Sequence, residues 1–210
     1  NEINKKINQK IFFHKIDTTK EESIKNFFLH VNKKFGTIDA VVNCSYPRSK
    51  GFGAKLENLK EKYLKEDLYN QLGGAILLSK VAIKYFRKMN EGILINVSSI
   101  QGVRAPKFHH YENTKMFSPI EYSAVKAGII SITQYLAKLC SNQNIRVNCI
   151  SPGGIRDNQD KKFLKKYKND CLSKGILDPE DLCGTLIFLL SDDSKYINGQ
   201  NIIVDDGWVL

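Results

Sequence analysis

Two residues set the chemical question. Tyr122 and Lys126 stand four apart, a spacing that puts a phenol and an ammonium on one face of a helix. An unperturbed tyrosine titrates near ~10, too high for a base at neutral pH, and a neighbouring ammonium favours the phenolate. Such a pair can trade a proton with an alcohol or a carbonyl oxygen. Taken alone the spacing is a weak signal, because it also describes any exposed helix face. Its surroundings give it weight. One apolar run, 93–97 (ILINV), leads straight into Ser98-Ser99, and another, 145–150 (IRVNCI), opens into Ser151-Pro152-Gly153-Gly154.

The elements that must position these segments alternate along the chain. Residues 11–16 (IFFHKI) read as a short strand, 20–34 as a helix ended by Gly36, and 38–43 (IDAVVN) as a second strand. A long helical stretch over about 57–88 precedes strand 93–97. Ile129, Ile132, Leu136 and Leu139 recur at helical spacing within 119–141. Strand 145–150, helix 179–191 and strand 200–204 complete the order. In S-P-I-E, Ser118 is expected to cap the helix and Glu121 to return the bond, and Asp178-Pro179-Glu180-Asp181 repeats the signal. Strands separated by helical crossovers predict an α/β fold, a doubly wound parallel sheet with helices on both faces. Ligands of such sheets bind beyond the carboxyl ends of the strands. The Ser99, Tyr122 and Pro152-Gly153 segments all project from that edge. No repeat, low-complexity tract or linker divides residues 1–210, which read as one domain.

Composition narrows the class. The chain is 42% hydrophobic and 26% charged, enough to bury a core, and no apolar run approaches the roughly 20 residues that cross a bilayer. Residues 1–10 lack the apolar stretch of a signal peptide. Five cysteines without a C-x-x-C pair read as reduced, buried thiols of a cytoplasmic protein. Four histidines without metal-ligand spacing predict no metal site. The formal charge of +10 invites a nucleic-acid reading, but the lysines are scattered and no finger or RNP signature accompanies them. Neither nucleic acid nor membrane is an expected partner.

The motifs, in this order, resemble the short-chain dehydrogenase/reductase family from about residue 11 to the C-terminus. I-N-V-S-S-I-Q-G (95–102) is similar to its serine strand and Y-S-A-V-K (122–126) to its catalytic helix. I-R-V-N-C-I-S-P-G-G-I (145–155) resembles its nicotinamide loop, and N-G-Q-N-I-I-V-D-D-G (198–207) its C-terminal signature, normally ending V-D-G-G. I-D-A-V-V-N-C-S (38–45) resembles the strand usually written D-x-L-V-N-N-A. The resemblance implies a Rossmann-like fold and an NAD- or NADP-dependent oxidoreductase that interconverts a carbonyl and an alcohol. It implies Tyr122 as general acid/base, Lys126 as its partner and ribose ligand, Ser99 holding the substrate oxygen, and Asn70 ordering water behind Lys126. Asn43, Pro152, Gly153 and Ile155 would shape the nicotinamide site, and Asp17 would meet the adenine ring. Pairing of the helices near 66–88 and 120–141 across a twofold axis would give a homodimer or homotetramer.

The chain departs from the pattern in places. The family's opening strand, Gly-rich turn, helix and second strand have no counterpart here, and Gly51-Phe52-Gly53 follows the wrong strand. Two absent strands would open a gap of roughly 14 Å, about three strand spacings of ~4.8 Å, beside strand 11–16. The expectation is therefore that such a unit precedes the chain, with residues 1–10 as the tail of its last helix. Cys44-Ser45-Tyr46 replaces the usual N-A-G, setting a larger side chain near the cofactor.

Substrate clues are two. An insertion at 104–118 carries Arg104, His109 and His110, and a basic run carries Lys161, Lys162 and Lys165. Facing the substrate, they would suit an anion such as a phosphorylated sugar or sugar nucleotide; facing solvent, they would merely hydrate a lid. The stretch Y-E-N-T-K-M-F-S-P-I-E-Y-S-A-V-K (111–126) is similar to bacterial members of the family associated with surface-glycan and flagellin-modification sugars. A cofactor-less binding or scaffold protein is the alternative class.

Overall fold

The computed structural model describes residues 11–210; the reading of 1–10 as a helix tail lies outside them. Four strands form one sheet in the order β1 (Ala40–Asn43), β2 (Glu91–Val97), β3 (Asn144–Pro152), β4 (Asn201–Val204), all parallel. Parallel neighbours cannot be joined by a hairpin, so helices make the crossovers. Helix α1 (Glu21–Phe35) precedes β1, and α2 (Glu61–Asp67) and α3 (Gly74–Met89) lead to β2. Helix α4 (Ile120–Leu139) joins β2 to β3, while α5 (Lys161–Asn169) and α6 (Cys183–Leu190) join β3 to β4.

Side chains alternate across the sheet with period two, and each face has its own cover. On one face Leu94, Val147 and Cys149 meet α1 through Ile24 and Phe28, α3 through Ala82 and Phe86, and α4 through Val125 and Ile129. On the other, Ile95 and Ile150 meet Leu189 of α6. Burial on both faces explains why β2 and β3 read as continuous apolar runs. Helix α1 also follows its termini: Glu21 and Glu22 lie in its first turn, Lys33 and Lys34 in its last. Gly36 closes it at φ 88°, its N–H donating to the Asn32 carbonyl at 2.8 Å.

Four expectations are corrected. Residues 11–16 form no strand. A strand needs a neighbour for its backbone groups, and no described segment flanks this one; Phe13 is 89% exposed, while the Phe12 ring packs at a tilt against Phe35 and Ile16 packs on the core. The helix expected over 57–88 is a 3-10 turn, α2, a π-helical segment at Leu68–Gly73 and α3. The Ser118 capping box does not form. Pro119 is the N-cap, the Ser118 hydroxyl donates to the Gln101 side-chain carbonyl, and both buried carboxylate oxygens of Glu121 lack a hydrogen-bond partner. The second box, at Asp178 and Asp181, is present. All five cysteines are free thiols, but Cys44 and Cys183 are exposed.

Candidate active site

Beyond the carboxyl ends of β2 and β3 lies a cleft of about 310 Å³. Its inner wall is built from the strand ends and the start of α4. The end of β2 leads straight into Ser98 and Ser99, and their hydroxyls do different work. Ser98 Oγ donates to the Lys126 carbonyl at 2.7 Å, tying α4 to the strand. Ser99 Oγ accepts from the Gln101 N–H at 3.2 Å and faces the same cleft as the Tyr122 phenol. Gly102 allows this approach: a Cβ there would lie 2.6 Å from the Lys126 carbonyl carbon and 2.8 Å from the Ala127 nitrogen.

Lys126 is buried, and its ammonium donates to the Val97 carbonyl at 3.0 Å. It lies 5.5 Å from the Tyr122 ring centre and 5.3 Å from that of Tyr46. Burial lowers the Lys126 pKa to about 8, with Cys149 and Cys44 pulling the other way. Burial raises the Tyr122 pKa, opposed by the Ser99 hydrogen bond. The phenol's pKa is therefore raised rather than depressed in this arrangement, because dehydration of the phenolate dominates. Deeper in, Asn96 Nδ2 donates to Thr133 Oγ1 at 3.0 Å and Asn43 Nδ2 to Asn96 Oδ1 at 3.4 Å, cross-linking β1, β2 and α4.

Across the cleft stands a wall of different make. Gly153 and Gly154 leave β3, and the Gly154 N–H donates to the Tyr167 phenol oxygen at 2.7 Å. Tyr167 stacks on Trp208 with ring centres 6.0 Å apart, and Phe163, Tyr111 and His110 pack beside them. His110 is 1% exposed and bonds Asp170 Oδ2 at 2.5 Å. Burial lowers its pKa despite that carboxylate. Asp206 stands where the family signature has glycine and adopts φ 55°. Its carboxylate accepts from Ser173 and from the Gly175 N–H at 2.6 Å, which holds the left-handed turn.

The cleft thus brings together Ser99, Tyr122, Lys126, Pro152, Gly153, Ile155 and His110 of the residues singled out in the sequence. Asn43 is buried beside it. Asn70 is half-buried in the π-helical segment and does not line it, and neither does Asp17. The Asp17 carboxylate accepts from the Thr19 N–H at 3.0 Å and hydroxyl at 2.6 Å, fixing the turn before α1. Arg104 and His109 are exposed outside the cleft lining. So are Lys161, Lys162 and Lys165: Phe163 and Tyr167 turn inward from α5, and the lysines between them take the solvent face. Tyr46 went unassigned as a site residue, although its replacement of a small residue marked it. Its ring packs edge-on against Tyr122 at 5.5 Å. Trp208, the only tryptophan, and the Phe163–Tyr167 spacing within the lysine run were the available signals for the outer wall.

A larger apolar groove of about 610 Å³ lies between α3 and α4, lined by Ile76, Ile83, Ile132, Tyr135 and Leu139 among others. It holds no acid–base pair comparable to that of the cleft.

A parallel α/β sheet with a half-buried tyrosine and a buried lysine one turn apart at its carboxyl edge defines a Rossmann-type oxidoreductase. A family model described as enoyl-(acyl carrier protein) reductase matches residues 1–209. Post-translational flagellin modification protein A of Campylobacter coli is 47% identical over 211 residues, covering 100% of this chain and 82% of that protein. A 7alpha-hydroxysteroid dehydrogenase of Bacteroides fragilis is 30% identical over 90% of this chain and 71% of its own. Among solved structures, a short chain dehydrogenase of Leptospira borgpetersenii with bound NAD+ superposes with a TM-score of 0.84 at 33% identity, covering 92% of this chain and 74% of that one. The chain belongs to the short-chain dehydrogenase/reductase family and is an oxidoreductase of that family.

Proposed function

We propose that the cleft interconverts a carbonyl and an alcohol, with Tyr122 as general acid and base and NAD or NADP as hydride partner. The observation that carries this reading is the placing of Ser99, Tyr122 and Lys126 in one cleft, with a buried, partly used ammonium one turn below the phenol. The residues present fit the nicotinamide end of a dinucleotide. Lys126 spends one of its three donors on Val97, and a Cβ at Gly153 would meet Asp205 Cα and the Tyr167 oxygen at 3.0 Å, so only glycine leaves that floor open. When bound, the nicotinamide supplies or accepts the hydride.

In reduction, Tyr122 gives its proton to the substrate oxygen while Ser99 holds that oxygen; in oxidation the transfer reverses. Lys126 supplies the positive charge beside the phenol, 5.5 Å from its ring centre, and holds the nicotinamide ribose. Asn70 orders a water behind Lys126, and the π-helical turn that carries it is of the kind found at functional sites. Asn43, Pro152, Gly153 and Ile155 shape the nicotinamide site, and Asp17 stands toward the adenine.

For the substrate we propose a phosphorylated sugar or sugar nucleotide used in flagellin or surface-glycan modification. The Campylobacter relative supports the process, and the wall of Tyr111, Phe163 and Trp208 suits the apolar face of a sugar ring. Arg104 and the lysines of α5 act on its charge from outside the cleft. The apolar groove supports a homodimer or homotetramer: Ile76, Tyr135 and Leu139 are 48%, 67% and 47% exposed. A monomer by light scattering at micromolar concentration would contradict that assembly. No helix among the described residues is long and apolar enough to cross a membrane. With free cysteines throughout, a single cytoplasmic domain is the reading we favour.

Trp208 supplies the test. Titrating full-length protein with NADH and NADPH should quench its fluorescence saturably, and turnover with that cofactor should follow on a panel of sugar nucleotides. Absence of saturable quenching that depends on Trp208 would remove the dinucleotide from the proposal.

A further inference from the structure

Outside the proton-transfer machinery, three metal-ligating side chains meet where the insertion touches α5. His109 Nε2 lies 2.8 Å and His110 Nε2 2.5 Å from Asp170 Oδ2. Among the described residues this is the one place where three His, Cys, Asp or Glu ligand atoms fall within 4.8 Å of one another. We propose that His109, His110 and Asp170 form a binding site for a divalent cation of the zinc class, which clamps the insertion to the carboxyl end of α5. The inference does not depend on the proposed reaction.

Its chemistry is favourable. Two imidazoles and a carboxylate are the donor set that borderline cations such as zinc prefer to the oxygen-only shells of calcium or magnesium. A ligating imidazole must be neutral, so binding should release protons and weaken as the pH falls. Bonds of about 2.0–2.1 Å in a tetrahedral shell space the ligand atoms by about 3.3 Å, so each Nε2···Oδ2 separation must open by under about 1 Å. His109, with a half-exposed side chain, and Asp170, on the turn after α5, have room for that. His110 is the fixed member, packed against Phe163, Tyr167 and Trp208.

One charge works against a cation. Lys107 Nζ stands 4.0 Å from Asp170 Oδ1, with its head 4.9 Å above the Trp208 ring. It faces the carboxylate oxygen that the imidazoles do not touch, which leaves Oδ2 to the metal. The clamp would reinforce contacts already made in the same seam, where Lys166 Nζ donates to the His109 carbonyl at 2.7 Å and to Glu112 Oε2 at 3.1 Å. The competing arrangement is a plain hydrogen-bonded triad, in which each imidazole donates to Asp170 and no cation enters.

The experiment titrates full-length, chelator-stripped protein with zinc alone against a chromophoric competitor, and follows the melting temperature in parallel. The wild type should bind one zinc per chain at this site and melt higher with it, as mass action requires. Asp170→Asn and His109→Gln should each weaken binding by about tenfold or more, since even outer-shell partners of metal sites are worth that much. Circular dichroism of the zinc-free variants checks that they fold; His109→Gln, at an exposed position, should. His30→Gln is the control, because His30 stacks on His14 at 4.4 Å and is the other histidine pair. Unaltered affinity in His109→Gln, loss in His30→Gln instead, or no zinc binding by the wild type would each overturn the proposal.

Discussion

The two walls of the cleft are held by different forces. On the inner wall, Lys126, Ser98, Asn96 and Thr133 are all buried, and bonds between them or to backbone carbonyls tie β2 to α4. Breaking such a bond leaves a buried polar group unpaired, at about 1–3 kcal/mol each. The outer wall, made of the 104–118 insertion, α5 and the C-terminal turn, is held by aromatic contacts and partly exposed ion pairs such as Lys166–Glu112. Exposed pairs are worth about 0–1 kcal/mol. The inner wall therefore has one arrangement and suits chemistry, which needs fixed geometry. The outer wall can adjust, and suits selection of a substrate.

That contrast breaks or sharpens at defined positions. The largest effect is expected from Lys126→Met, which keeps the bulk of the stem and removes the ammonium. The catalytic efficiency should fall by about 10²-fold or more, and a loss under tenfold would move the chemistry away from the inner wall. Gly102→Ala drives a methyl group into the backbone of α4. Urea unfolding should show a loss of about 1–3 kcal/mol. Gly184→Ala, where a Cβ meets nothing within 4 Å, should instead gain up to about 1 kcal/mol. Equal stabilities would show that the inner wall yields as freely as the surface.

A pH effect of about 2 kcal/mol comes next. Below about pH 8 both folded and unfolded chains hold the Lys126 proton, and the cost of burying that charge is fully felt. Between about 8 and the ordinary lysine value of 10.5 the unfolded chain binds the proton and the folded protein does not, so stability rises with pH. At about 1.4 kcal/mol per unit, the stability advantage of Lys126→Met should narrow by about 2 kcal/mol from pH 8 to 9.5. Parallel curves would mean that Lys126 is solvated. The smallest effect is expected from joint Lys161, Lys162 and Lys165→Gln. Charges outside the cleft act through solvent screened over ~8 Å, so KM should rise no more than about threefold at low salt and not at all at high salt. A tenfold rise that persists in salt would place the lysines against the substrate.

The same division governs what the sequence revealed. Ser99, Tyr122, Lys126 and the Pro152-Gly153 turn were legible because strand period, helix spacing and chain order place them together without tertiary information. Asp170 and His110 are 60 residues apart, and nothing in either neighbourhood announces the other. The lysine run stayed open between substrate and solvent for a related reason: charge density is visible in the chain, but the inward turn of Phe163 and Tyr167 decides which way it faces. Residues 11–16 show the limit of pattern alone. Their apolar run suits a short buried strand, yet a strand exists only with a neighbour, and no described segment supplies one. Ser118 shows local competition: its hydroxyl has two possible partners, and Gln101, tied to the Tyr111 phenol, wins it from the helix end.

The central claim is that Tyr122 moves the proton, on a scaffold that binds cofactor without it. Tyr122→Phe removes one oxygen and keeps the ring against Tyr46 and Phe52. Turnover and dinucleotide affinity should be measured on the same preparation, the latter by quenching of Trp208. The expected result is a turnover loss of about 10²-fold or more with cofactor affinity changed less than about twofold. A Tyr122→Phe protein that keeps a tenth or more of wild-type turnover contradicts the account.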